Sequence, residues 1–467
     1  MIDKCKIFTP EKIAIEMLDY LEYKENLYGK KIMENACGDG GILKIIVKRY
    51  IEDSLANNIS KNKIKKGLES DIYGIEYDKN HYFSCKENLE KIANTYNIKN
   101  VKWNILNTNT LESNFKEKFD FVVGNPPYIV YREIPNDIRE KIKEKYISCQ
   151  KGKFDYCYAF IEESLISLKD KGKLAYLIPN SIFKNVFGNN LREFLKSSIT
   201  NIIDYTSKQL FKEALTSSAI IICNKNINTN YLEYTDIVNN YSFKILKSDL
   251  KEKWIFSIPR NKKATRRFGD FFHAAITIAT LYNNAFVIKK FEEKERYFKV
   301  GEYKLEKDVI RKATSPRKKA NNVKEIIIFP YYYKNQKLQR YSEEIFIKNY
   351  PEVTRYLKQF DSKLNRRKVD KTCKWFEYGR NQALAHLNCK KLLLSTIVTN
   401  ELNIYKLEKN EIPYSGIYIT SKFGAHLDEA KKILESREFL EYVQSIGINV
   451  NGESKRITAK DINEFRF

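Results

Sequence analysis

Apolar residues follow two different periods in the first half of this chain. Short runs rich in β-branched and aromatic residues occupy positions 31–35, 72–76, 101–106 and 119–123. Such runs predict buried strands. Between them, apolar residues recur every three or four positions. That spacing predicts helices from the glycine turn through Tyr50, over 81–96 and over 156–169. Further apolar runs at 173–178, 202–205 and 219–223 extend the strand pattern. Strands that alternate with helices predict a doubly wound, mainly parallel α/β sheet. The pattern breaks in the polar stretch from Asn224 to Asn230, so a domain covering 1–228 and a second covering 229–467 are expected.

The run at 119–123 ends abruptly in Gly124-Asn125-Pro126-Pro127-Tyr128. Two successive prolines donate no backbone N–H and cannot continue a ladder. The turn therefore places an amide side chain, fixed carbonyls and an aromatic ring at the carboxyl end of a strand, where open α/β sheets bind ligands. This set suits a planar amino group on a heterocycle. The Asn125 side-chain oxygen and the Pro126 carbonyl can accept its hydrogens and draw the nitrogen towards tetrahedral geometry. Tyr128 offers a face for a base to stack on.

Composition narrows the partners. With 43% hydrophobic residues the 467-residue chain can build real cores. The net charge of +24 is concentrated. Residues 1–250 hold 38 basic against 33 acidic residues, 251–400 hold 35 against 15, and 401–467 hold 10 against 11. A focused basic block points to a polyanion, most simply nucleic acid. The eight cysteines form no C-x-x-C pair and the four histidines are isolated, so no metal site is expected. The N-terminus has no apolar signal core and no run approaches membrane-spanning length, which fits a cytoplasmic protein with no membrane partner.

The first predicted strand leads into Glu34-Asn35-Ala36-Cys37-Gly38-Asp39-Gly40-Gly41, and the second ends in Glu76. The acids beside these glycines suit a cationic or zwitterionic ligand better than a pyrophosphate. With Asn125-Pro126-Pro127-Tyr128, these segments resemble the N6-adenine DNA methyltransferases of the gamma motif order. Phe8-Thr9-Pro10-Glu11 looks like that family's N-terminal cofactor motif. The resemblance implies S-adenosyl-L-methionine as cofactor, held by Thr9, Glu34, Ala36, Gly38, Gly40, Glu76, Asn109 and Phe160. It implies catalysis by Asn125, Pro126, Pro127 and Tyr128, with the target base stacked between Tyr128 and Phe211. Asn109 stands where the family usually has an aspartate for the cofactor's adenine amino group, and Asn35 where it often has proline. Read alone, Thr9 is a helix N-cap, and Phe160 and Phe211 are core aromatics.

The resemblance continues more loosely into the second half, as a mixed α+β target-recognition domain. Arg311, Lys312, Arg317 and Lys318 form a basic loop around Ser315-Pro316 suited to phosphates, whereas Arg380 and Gln382, with Asn381, are better placed by chemistry to read bases. The expectation is a monomeric DNA adenine methyltransferase acting on duplex DNA in a restriction-modification system, with or without a cognate restriction endonuclease. No nuclease domain is expected ahead of Thr9. The rivals are a methyltransferase for an RNA base or a protein glutamine, and a non-catalytic DNA-binding specificity module.

Overall fold

A computed structural model of the chain describes residues 8–206, 217–256, 264–370, 372–450 and 454–467. It divides into two compact units at Ser257/Ile258.

The first unit is built on nine strands: β1 (Ile32–Glu34), β2 (Ile72–Ile75), β3 (Asn104–Leu106), β4 (Phe119–Gly124), β5 (Leu168–Pro179), β6 (Ile199–Asp204), β7 (Ser218–Asn224), β8 (Tyr231–Asp236) and β9 (Tyr241–Leu246). Their order is β3-β2-β1-β4-β5-β7-β6-β8-β9. Neighbours pair in parallel except where β7 and β9 take part. The helices are α1 (Glu11–Tyr20), α2 (Gly41–Ala56), α3 (Lys61–Asp71), α4 (Lys79–Thr95), α5 (Asn136–Lys145), α6 (Tyr156–Ser167) and α7 (Asn189–Leu195).

Strand pleating sends alternate side chains to opposite faces. Ile32, Val123, Ala175 and Leu177 join a core with α1 to α4, while Met33, Val122, Leu174, Tyr176 and Ile178 join a second core with α5 to α7. The expected doubly wound sheet is thus present. Chain order reverses between β1 and β4, which opens a crevice at their carboxyl ends.

The boundary expected after residue 228 is corrected. Residues 231–246 form β8 and β9, which extend the same sheet past β6. Beyond them, buried Trp254 stacks on Phe183, with centroids 6.1 Å apart, and its backbone N–H donates to the Phe183 carbonyl.

The second unit is mixed α+β. One four-stranded sheet orders Phe272–Ile276, Ile417–Ser421, Lys391–Leu394 and Ile404–Leu407; another orders Val287–Ile288, Glu325–Ile328, Ile310–Thr314 and Glu411–Pro413. Its core includes Phe286, Ile327, Tyr331, Phe346, Phe376 and Tyr378. No helix among the described residues is long and apolar enough to cross a membrane.

Candidate active site

A cleft of about 690 Å³ lies within the first unit, at the carboxyl ends of the central strands. The loop after β1 forms its floor. Gly38 adopts φ 52°, and a Cβ there would lie 3.2 Å from the Phe8 ring. Gly40, at φ 86°, caps α2, and a Cβ there would come within 2.9 Å of the Cys85 sulfur. Only glycine fits both positions without strain. Gly38 lines the cleft, whereas Gly40 does not; its requirement is the packing of the loop on α4.

Glu76 follows β2 and ties this loop down. Its Oε2 accepts from the Gly38 N–H at 2.8 Å and its Oε1 from the Asp78 N–H at 2.7 Å. Glu34 is buried at the end of β1 and accepts from the Leu43 N–H at 3.2 Å. Burial, with Cys85, Glu76 and Asp39 nearby, holds its carboxyl well above the usual range.

Asn35 is a buried hub that the sequence did not single out as functional. Its Nδ2 donates to Ser164 Oγ at 2.9 Å, its Oδ1 accepts from the Tyr176 hydroxyl, and its carbonyl accepts from Thr110 Oγ1. Proline could make none of the side-chain bonds. They join the loop after β1 to α6 and β5, and the carbonyl bond reaches the wall beyond β3.

That wall carries Thr108, Asn109, Thr110 and Glu112. Asn109 caps a short 3₁₀ turn, Thr110–Glu112: its Oδ1 accepts from the Leu111 N–H at 3.1 Å. Its Nδ2 donates to Glu112 Oε1 at 3.2 Å. Tyr156 and Phe160 of α6 line the same cleft, with ring centroids 5.3 Å apart.

The Asn125-Pro126-Pro127-Tyr128 turn follows β4 and faces the same cleft. The Tyr128 hydroxyl donates to the Leu177 carbonyl of β5 at 3.0 Å, which fixes the ring. Ile129, Ile134, Pro135 and Ile138 complete an apolar flank.

The structure therefore brings together Thr9, Glu34, Ala36, Gly38, Glu76, Asn109, Phe160 and the four residues of the turn. Thr9 does not cap α1, whose N-cap is Pro10 without a side-chain bond. Phe211 lies outside the described residues.

In the second unit, the basic loop expected at 311–319 is instead the end of a strand and a short helix, Pro316–Ala320, capped by Ser315. Arg311 turns its Nη1 onto the Asp308 and Ile310 carbonyls, both at 2.8 Å. Lys318 approaches buried Glu325 at 3.8 Å, and Lys312 and Arg317 are exposed. Tyr378 is core: its hydroxyl donates to the Ile328 carbonyl at 2.7 Å. Arg380 and Gln382 are exposed beyond it.

Residues 19–211 match the model of the Eco57I restriction-modification methylase family. The matched segment spans the glycine loop, Glu76 and the Asn-Pro-Pro-Tyr turn. The chain is 25% identical over 496 residues to the Type II restriction enzyme and methyltransferase RM.Eco57I of Escherichia coli, covering 85% of this chain and 50% of that protein. It is 25% identical over 253 residues to the Type II methyltransferase M.BstVI of Geobacillus stearothermophilus, covering 50% of this chain and 45% of that protein. The chain thus spans about half the length of these curated relatives. Its fold is similar to that of the Type IIL restriction-modification enzyme MmeI in complex with DNA, with TM-score 0.62, 13% identity, and coverage of 97% of this chain and 64% of that one. A nuclease-deletion mutant of the Type ISP restriction-modification enzyme LlaGI with a DNA substrate mimic gives TM-score 0.55 at 15% identity, covering 89% of this chain and 48% of that one.

Proposed function

We propose that the chain is a DNA adenine N6-methyltransferase that uses S-adenosyl-L-methionine and serves a restriction-modification system. The observation that carries this reading is one cleft shared by the Asn125 turn, the glycine loop and Glu76. The donor set fits the cofactor: Glu76, Asp78 and Glu112 line the cleft against Lys79 and His81, which favours a cationic ligand over a pyrophosphate. Thr9, Glu34, Ala36, Gly38, Glu76 and Phe160 would hold it. Bound there, S-adenosylmethionine supplies an electrophilic methyl group.

The chain's own residues do the positioning. Asn125 Oδ1 and the Pro126 carbonyl accept the two hydrogens of the target amino group. Proline at 126 and 127 restricts the turn, so little entropy is lost when the amino group docks. Tyr128, fixed by its bond to Leu177, stacks on the base. The adenine amino group is paired within duplex DNA, so the base must be flipped out to reach this turn. The second unit, with its exposed Lys312, Arg317, Arg380 and Gln382, is the proposed target-recognition domain.

Methyl-labelled S-adenosylmethionine offered with duplex DNA, RNA and protein tests this reading. Label should appear in duplex DNA as N6-methyladenine at a defined site. Label in RNA or protein, or none in DNA, would overturn it.

A further inference from the structure

Two segments of the first unit meet on its surface, 147–154 ahead of α6 and 181–190 at the start of α7. The Asn190 amide donates to the Ile147 carbonyl at 3.3 Å, and the Phe187 ring rests directly on Gly152, where a Cβ would collide with it. At this junction Ile147, Val186 and Phe187 are 56%, 64% and 45% exposed. Neither segment holds an acidic residue. Lys151 and Lys153, on either side of Gly152 in the chain, are exposed and form no ion pair among the described residues. The crest is held in place from below. Buried Arg192 donates through Nη1 to the Ile182 carbonyl at 2.6 Å and the Asn185 carbonyl at 2.9 Å, so a cation that is costly to bury fixes the turn Val186–Gly188. Large apolar side chains held rigidly in water mark an interaction surface. The cleft is close by. The Tyr156 N–H donates to the Ile129 carbonyl at 2.9 Å, just after the Asn125–Tyr128 turn, and Phe154 packs edge-on against Tyr131 with centroids 5.3 Å apart. Gly152 is four residues from Tyr156, which limits its distance from that contact to about 14 Å.

We propose that this crest is a DNA contact of the first unit's own, in which Lys151 and Lys153 take backbone phosphates and Phe187, flanked by Ile147 and Val186, packs on bases that lose a stacking neighbour when the target leaves the duplex. The inference rests on the DNA reading above. Two unpaired lysines in acid-free segments complement a polyanion, whereas a purely apolar partner would match the crest and gain nothing from them. Phosphate contacts position the duplex without reading its sequence. Opening a base pair costs unstacking energy, and an apolar side chain inserted beside the gap offsets part of it. Phe187 therefore acts on the opening of the duplex, a task distinct from that of Tyr128, which receives the base once it is out.

Anisotropy titrations of the full chain with a fluorescein-labelled DNA duplex, either fully paired or carrying one A·C mismatch, test this over a series of salt concentrations. Wild type should bind the mismatched duplex more tightly, because a mismatched base is cheaper to unstack. Lys151→Ala combined with Lys153→Ala should lower the slope of log affinity against log salt by about two, alike on both duplexes. Phe187→Ala should weaken the mismatched duplex by about tenfold, the scale of one base–aromatic stack, and the paired duplex by less than about threefold, with the salt slope unchanged. Phe187→Trp should restore the preference for the mismatch. All three side chains are exposed, so melting temperatures should stay at the wild-type value. Wild-type binding in both the lysine pair and Phe187→Ala would overturn the surface while leaving the DNA reading in place. A Phe187→Ala loss that is equal on the two duplexes would overturn the stacking role. Failure of wild type to bind either duplex would overturn the DNA reading itself, and this contact with it.

Discussion

Gly38 and Glu76 are joined by a 2.8 Å bond from a loop N–H to a carboxylate oxygen, across strands that are neighbours in the sheet. The second oxygen of the same carboxylate holds the Asp78 N–H, at the start of α4. Glu76 therefore shapes the floor of the cleft before any ligand arrives. Glu76→Ala should free both N–H groups, lower the melting temperature and abolish measurable S-adenosylhomocysteine binding. Glu76→Gln retains an acceptor and should lose about tenfold in affinity, since a hydrogen bond to a charged group is worth about 1.5–3 kcal/mol. Titration calorimetry with parallel thermal melts separates the two effects.

On the proposed reading, Asn125 orients the target amino group. Asn125→Ala should lower kcat by at least about 10²-fold, the scale expected for loss of one preorganised polar contact to the reacting group. Its DNA affinity and melting temperature should stay close to wild type. Single-turnover methylation alongside a binding titration reads both quantities. Normal turnover in this variant would remove the amide from the mechanism.

Tyr128 separates stacking from anchoring. Tyr128→Ala removes the ring and should cost about 1–3 kcal/mol of base binding. Tyr128→Phe removes only the bond to the Leu177 carbonyl, so it should fall within a few fold of wild type. Fluorescence of 2-aminopurine at the target position, which rises when a base leaves the stack, reports the difference.

Asp155 precedes α6, and burial pushes its carboxyl up to about 6. The unfolded value is near 3.9. Because the folded value is the higher one, the stabilising contribution is full below about pH 4 and is lost as pH rises through 6. Asp155→Asn should remove this loss, raising the melting temperature relative to wild type at pH 7.5 but not at pH 4. A melting series across that window shows the slope or its absence.

In the second unit, Lys312→Ala should weaken binding to all DNA sequences and reduce the salt dependence by about one counterion. Arg380→Ala should cost about 1–3 kcal/mol at one base position and relax specificity there. Binding isotherms at several salt concentrations, on cognate and substituted sites, distinguish a phosphate contact from a base contact.

Much of this architecture was legible because the central strands announce themselves. β1, β2 and β4 are short apolar runs that lie within two residues of their expected spans, whereas β5 begins at Leu168, five residues before its expected start at 173. The edge strands were not legible for the opposite reason. β8 alternates exposed Tyr231 and Glu233 with buried Leu232 and Tyr234, so it reads as polar chain unless its partner is known. The helix α3 hides behind four lysines in its first six residues and buries only Ile64, Gly67, Leu68 and Asp71. At the site, the residues that face the cleft were visible through the family resemblance. The connections that hold them were not, because Asn35 meets Ser164 and Tyr176 across more than a hundred residues.

The strands β8 and β9, with Trp254 behind them, set where one specificity could be exchanged for another. A graft joined at residue 228 would strip β6 of its parallel neighbour and bare a row of backbone donors and acceptors, a template for self-association. A graft joined after residue 256 leaves that edge covered and Phe183 under its indole. Chimeras that combine this catalytic half with a foreign reader should accordingly remain dispersed only when the seam lies beyond Trp254.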